Sequence, residues 1–228
     1  MDFKTDENAL QIITRSFVNY QTKLSNSTFI YVYYDSIDRC YRESQLTFLD
    51  RNYKHLCGIS DKKEDIQEYT NKGINKEVIS GAEFAKRLKR SRLGLKNIIC
   101  KKDGSTWQKL NIINNLYKIT ENEGIYYLPG DRDNSVNCDA IIGLKSGNIS
   151  LAIIKDKSYY GPLSSLEKNL LEENGQFPKN RRYMFDVHLI AKKAAFSKAL
   201  YNKNDILYQN GNFIFNNLPE DIKEMFSK

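Results

Sequence analysis

The stretch Phe29–Phe48, FIYVYYDSIDRCYRESQLTF, decides the fold class. Phe29 to Tyr34 is an unbroken run of aromatic and β-branched residues, which predicts a strand. Asp35-Ser36-Ile37-Asp38 supplies turn chemistry, and Cys40 to Phe48 returns as a second strand with Tyr41, Glu43 and Gln45 on one face. Upstream, Leu10, Ile13, Phe17 and Tyr20 recur at three- and four-residue steps. This predicts a helix over residues 6–21, capped at Thr5 or Asp6, with acid in its first turn. Downstream, Asp50 as N-cap and Gly58 as stop bracket one or two helical turns. Residues 61–100 read as charged helix broken at Gly73 and Gly81, and Trp107 to Ile119 as a short amphipathic helix facing inward through Leu110, Ile113 and Leu116.

Beyond that point the pattern turns to strands. Gly124 to Leu128, Cys138 to Leu144, Ile149 to Ile154 and Tyr183 to Ile190 are short β-runs, with turns expected at Pro129-Gly130-Asp131 and Lys145-Ser146-Gly147-Asn148. Lys155 to Ser165 reads as a polar, tyrosine-bearing loop, residues 166–181 as polar, and Lys192 to Tyr201 as helix. The expectation is an α+β fold: an N-terminal helix and β-hairpin, a charged helical insert at about 61–119, an antiparallel sheet of about four to five strands, and a C-terminal helical tail. Residues 1–201 would form one domain, with 202–228 as an extension that docks through Phe213, Phe215 and Leu218.

The chain has 228 residues, 40% of them hydrophobic and 28% charged, enough apolar content for a core. A mean hydropathy of −0.60 and the lack of any long apolar run argue against a membrane-spanning helix. The acidic start, MDFKTDENAL, lacks the basic and apolar regions of a signal peptide, so a cytosolic setting is expected. Lys and Arg total 35 against 28 Asp and Glu, a net charge of +7 that suits a polyanionic partner as well as plain solubility. Cys40, Cys57, Cys100 and Cys138 lack C-x-x-C spacing, and with only His55 and His188 beside them no zinc site is expected, nor any other cofactor.

The segment Leu46 to Ile59 reads L-T-F-L-D-R-N-Y-K-H-L-C-G-I. It resembles a phage-associated branch of the barnase–EndoU–colicin–RelE (BECR) nuclease superfamily. That branch carries an aromatic-x-x-x-N-aromatic-x-H-L-T-G core after a hairpin, matched here by Phe48, Asn52, Tyr53, His55, Leu56 and Gly58. The helix and hairpin before it, the charged insert after it, and a serine following proline at Gly161-Pro162-Leu163-Ser164 agree with the same family, over roughly residues 8 to 195. One position departs: Cys57 stands where the family has threonine. A hydroxyl that held phosphate would be missed there, whereas one that only packed would not.

The resemblance implies a metal-independent RNase-like protein of phage or mobile-element origin. Such cleavage needs a base for the ribose 2′-OH, an acid for the leaving 5′-oxygen and a cation for the phosphorane. His55 fits the first role, with Arg51 one helical turn away, Lys54 on the flank, and Ser164 as a phosphate-binding hydroxyl. A structural His55 is the plain alternative, and His188, alternating with Asp186 and Ile190, reads as a sheet histidine. Lys86, Arg87, Lys89, Arg90, Arg92 and Lys96 could track a phosphate backbone or simply be a solvated face, and Tyr160 could stack a base. Trp107 beside Lys101 and Lys102 reads as core before stacking platform. The expected partner is RNA or a nucleoprotein complex. The competing reading is a non-catalytic inhibitory protein that uses a degenerate nuclease fold and its basic face against a bacterial defence protein.

Overall fold

Thr5 accepts a hydrogen bond from the Asn8 amide and starts α1 (Asp6–Asn19), which buries Ala9, Ile13 and Phe17 and runs into a π turn at Tyr20–Leu24. The computed structural model describes residues 4–128, 138–156, 159–167, 183–211 and 213–227. β1 (Ser27–Asp35) and β2 (Cys40–Phe48) pair antiparallel from Ser27↔Phe48 to Asp35↔Cys40, as the alternation predicts. The turn is set by Asp35, whose carboxylate accepts from the amides of Ile37 at 2.9 Å and Asp38 at 3.2 Å. Four helices follow: α2 (Asn52–Leu56), α3 (Lys63–Asn71), α4 (Gly81–Lys89) and α5 (Ser105–Ile113). Then come β3 (Gly124–Tyr127), β4 (Ala140–Leu144), β5 (Ser150–Asp156), β6 (Tyr159–Leu166), β7 (Met184–Ala194), β8 (Ile206–Gln209) and α6 (Glu220–Lys223).

The sheet corrects the four-to-five-strand expectation. Among the described residues eight strands lie in the order β1-β2-β6-β5-β4-β3-β7-β8, and β7 also pairs with β1, which closes the first seven into a barrel. Three misread segments bear on the difference, and one lies in the tail expected to be helical: Ile206–Gln209 is the strand β8, paired with β7. Most of the segment read as a loop over 155–165 is strand: Lys155 and Asp156 end β5, and Tyr159 to Ser165 lie in β6, where Gly161-Pro162 is accommodated at the register slip between Ala152 and Ile153. The alanine- and lysine-rich start of 192–201 is drawn into β7 up to Ala194, because pairing with β1 from Ser27↔Ala194 to Tyr33↔Val187 overrides its helix propensity. The expected turn at 129–131 and most of the polar stretch 166–181 lie outside the described residues.

β1 is buried on both faces, which is why it reads as a continuous apolar run rather than an alternating one. Phe29, Tyr31 and Tyr33 face the barrel interior with Leu46, Phe48, Tyr126, Ile142 and Val187, and meet Ile13 and Phe17 of α1. Ile30, Val32, Leu189 and Ala191 face the other way, under Tyr201, Phe213, Leu218, Ile222 and Phe226 of the C-terminal tail. His188 lies on that outer side with its ring near Tyr41 and Phe213, and its buried Nδ1 has no hydrogen-bond partner among the described residues. No described helix is long and apolar enough to cross a membrane.

β2 and β6 run parallel through Leu46↔Tyr160, so Phe48 and Leu166 end on the same rim of the barrel. α2 and α5 both pack against β6 there. α4 is pressed against the start of α2. A Cβ placed on Gly81 would lie 2.2 Å from the Arg51 carbonyl oxygen, so only glycine fits this helix start. Gly81→Ala should therefore destabilise the protein by about 1–3 kcal/mol, the usual cost of overpacking, read as a lowered urea midpoint. An unchanged midpoint would mean that α4 is free to move away from α2.

Candidate active site

The motif residues divide sharply by what they touch. Phe48, Tyr53 and Leu56 are fully buried, and the Tyr53 hydroxyl donates to the Ile13 carbonyl at 2.7 Å. Asn52 accepts from the Leu49 amide at 2.7 Å, which fixes the entry into α2. Cys57 is also sealed in, and burial pushes its thiol well above the ordinary range, so it packs and meets no ligand. Gly58 adopts φ +73°, and a Cβ there would lie 2.8 Å from Lys109 Cδ and 3.1 Å from the Thr106 Cα. Glycine thus admits both the left-handed turn and the close approach of α5. His55 is the motif side chain left facing solvent.

The carbonyls that end α2 are taken by donors from other elements. Ser165 Oγ donates to Leu56 at 2.8 Å, Thr106 Oγ1 to Gly58 at 2.8 Å, and Lys109 Nζ approaches the His55 oxygen at 3.4 Å. This positions Lys109, itself 7% exposed, at a cleft of about 280 Å³ lined also by Lys101, Ser105, Gln108, Ser164 and Glu167. Burial and the neighbouring Lys101 lower the Lys109 pKa to about 8. His55 joins this cleft through Lys109, which meets its carbonyl oxygen. Partial burial of its ring, then Lys109 and Lys101, lower its pKa, while a hydrogen bond to the Leu163 backbone and the Asp61 carboxylate act the other way. Glu167 sits on the rim, held by Asn111 at 3.2 Å and 3.3 Å.

The expected site residues fall into different places. Ser164 lines the cleft that holds Lys109 and Lys101. Lys54 points inward, 4% exposed, paired with Asp61 and donating to the Ile79 carbonyl at 2.6 Å. Arg51 faces a second cleft, of about 460 Å³, together with Lys86, Lys89 and Arg90. Arg87 is clamped by Glu77 at 3.0 Å and Glu83 at 3.1 Å, and Lys96 also reaches Glu77 at 3.0 Å. Arg92 is exposed and lines neither cleft. Tyr160 belongs to the opposite mouth of the barrel, beside the stacked rings of Tyr33 and Tyr126. Trp107 packs on the core. Lys109 escaped the sequence reading, although a visible signal existed: it shares a helix face with Thr106, Leu110 and Ile113, and a lysine on an apolar stripe is a displaced charge.

Gly58→Ala should push α5 off the end of α2 and cost about 1 kcal/mol or more of stability from the positive φ alone. It should also return the Lys109 pKa toward its ordinary value. Titration of the Lys109 side chain in the variant checks this, and an unshifted value would show that the α2–α5 contact does not hold the ammonium in place.

Among the described residues no group of three or more His, Cys, Asp or Glu is placed to hold a metal ion. Comparison with curated proteins and with solved structures returns no match. A family model described as phage-Barnase-EndoU-ColicinE5/D-RelE like nuclease4 (PBECR4) matches residues 12–209 and so takes in the barrel, α2 and both clefts. The chain belongs to this nuclease-like family of phage type.

Proposed function

We propose that the protein is a metal-independent endoribonuclease whose reacting groups are His55 and Lys109. The observation that carries this reading is a solvent-facing imidazole on a residue whose carbonyl oxygen is met at 3.4 Å by a nearly buried ammonium; Lys109 helps to lower the His55 pKa, while burial and Lys101 lower that of Lys109. A neutral His55 takes the proton from a ribose 2′-OH. The 2′-oxygen then bonds to the adjacent phosphorus as the bond from phosphorus to the 5′-oxygen breaks. Lys109, with a pKa of about 8, gives its proton to the departing 5′-oxygen, leaving a 2′,3′-cyclic phosphate and a 5′-hydroxyl. Lys101 and Ser164 in the same cleft hold the phosphate oxygens as charge builds on the phosphorane. Arg51 and Lys54 take no chemical step in this scheme: one faces the other cleft and the other is spent on Asp61. Cys57 in place of threonine costs nothing, because the position is sealed from the cleft. RNA is the substrate, and a cytosol is the setting.

His55→Ala should lower kcat/KM on RNA by roughly a hundred- to ten-thousand-fold with the fold intact. The wild-type profile should be bell-shaped and unaffected by chelator. Its rising limb lies below the ordinary histidine pKa of about 6.5, because the imidazole must be neutral. Its falling limb lies near pH 8, where Lys109 loses the proton it must donate. Cleavage that requires a divalent cation, or that survives loss of His55, contradicts the assignment.

A further inference from the structure

The cleft beside Arg51 has no part in the reaction scheme, yet it lies on the same helix as His55. Arg51 and His55 are four residues apart with helical backbone, so they share a face and are separated by about 6 Å along the axis. That is close to the spacing of neighbouring phosphates on an extended strand. From Arg51 the surface continues onto α4, where Lys86, Lys89 and Arg90 line the cleft.

The charge in this cleft is largely uncompensated. Asp50, the acid on its wall, is already engaged by Lys89 and by Ser25, and it ionises below the ordinary carboxylate range with those partners in place. Arg51 and Arg90 form no ion pair among the described residues, and Lys86 reaches Glu83 only at 3.6 Å. Arg92 is exposed outside the cleft, and Arg87 and Lys96 are held by Glu77, whose carboxyl is driven down to about 2, first by the Arg87 hydrogen bonds. The cleft is also held in shape, because Gly81 presses α4 against the Arg51 carbonyl. Its apolar floor is only Leu49, Ala82 and Ala85. Such a floor gives a protein partner no large anchor, whereas small residues between cations let a sugar–phosphate backbone lie close.

We propose that the α2–α4 cleft is a second phosphate-binding station, in which Arg51, Lys86 and Arg90 position the flank of the same single-stranded RNA that is cut at His55. This rests on the endoribonuclease reading for the placement of the scissile bond, but the cleft's affinity for RNA is measured separately. These are positioning residues: they lengthen the footprint on the strand and touch no reacting atom. Efficient cleavage then requires a substrate longer than a dinucleotide.

The test uses the full chain carrying His55→Ala, so that bound RNA stays intact, and a labelled oligouridylate of about 12 nucleotides beside a dinucleotide. Adding Lys86→Ala and Arg90→Ala should weaken binding of the longer strand about tenfold and reduce the slope of log affinity against log salt by about 1.4, two contacts at roughly 0.7 each. Dinucleotide binding should change by less than about twofold, because its phosphate sits at His55. With His55 restored, the same pair of substitutions should raise KM on the longer strand and spare kcat. Lys86→Arg with Arg90→Lys, which keeps both charges, should restore the slope, and this separates a charge effect from a folding defect. An unchanged affinity and slope in the double alanine variant overturns the proposal, including the case in which the cleft receives a protein. If the intact protein cuts no RNA while the slope still falls as stated, the station stands and the endoribonuclease reading alone fails.

Discussion

A five-residue helix makes too few hydrogen bonds to hold itself, and α2 persists because its inward side is nailed into the barrel. Tyr53 and Leu56 are fully buried, and Tyr53 is hydrogen-bonded to the carbonyl of Ile13 on α1. Everything the protein presents at this rim depends on that anchoring. With Tyr53 and Leu56 fixed inside, helical geometry sends Arg51 and His55 out on the opposite face. With Gly58 in a left-handed turn, α5 comes close enough for Lys109 to reach the end of the helix. The barrel's closure serves the same end, since β6 brings Ser164 and Ser165 alongside α2 only because β2 and β6 meet in parallel.

The electrostatic consequence follows from crowding cations where water is scarce. A lysine on the buried face of α5 would ordinarily need a carboxylate partner. Lys109 instead has the His55 carbonyl, Lys101 as a like-charged neighbour, and an opening to solvent through the cleft. Such an arrangement is poor for stability and well suited to an anion that neutralises it. Lys54 shows the contrast: it is equally buried, but it has Asp61 and the Ile79 carbonyl, and it belongs to the scaffold. The two lysines differ in pairing rather than in burial: Lys54 has a carboxylate in contact, whereas Lys109 forms no ion pair among the described residues.

The sequence was legible where local chemistry decides. The Phe29–Phe48 hairpin, the Thr5 cap and the Gly58 stop are all written in neighbouring residues. It was misleading where distant pairing decides. Gly161-Pro162 carries loop chemistry yet sits in a strand, and the alanine-rich start of 192–201 carries helix propensity yet extends β7, because closing the barrel buries more than either local preference is worth. The site divides in the same way. His55 stands out in the sequence by its motif, whereas the cations that surround its ring in space do not. Lys54 and Arg51 are its neighbours in sequence, but the chain folds Lys109 and Lys101, more than forty positions away, toward its ring.

The ionisation of Lys109 bears most directly on this account. Following the side-chain resonances of isotope-labelled lysine through a pH titration, with Lys109 assigned by substitution, reads it without any substrate. The account predicts a midpoint near 8, set by burial and by Lys101. A midpoint at the ordinary lysine value of about 10.4 would show a well-solvated or well-paired ammonium, and would remove the acid from the mechanism.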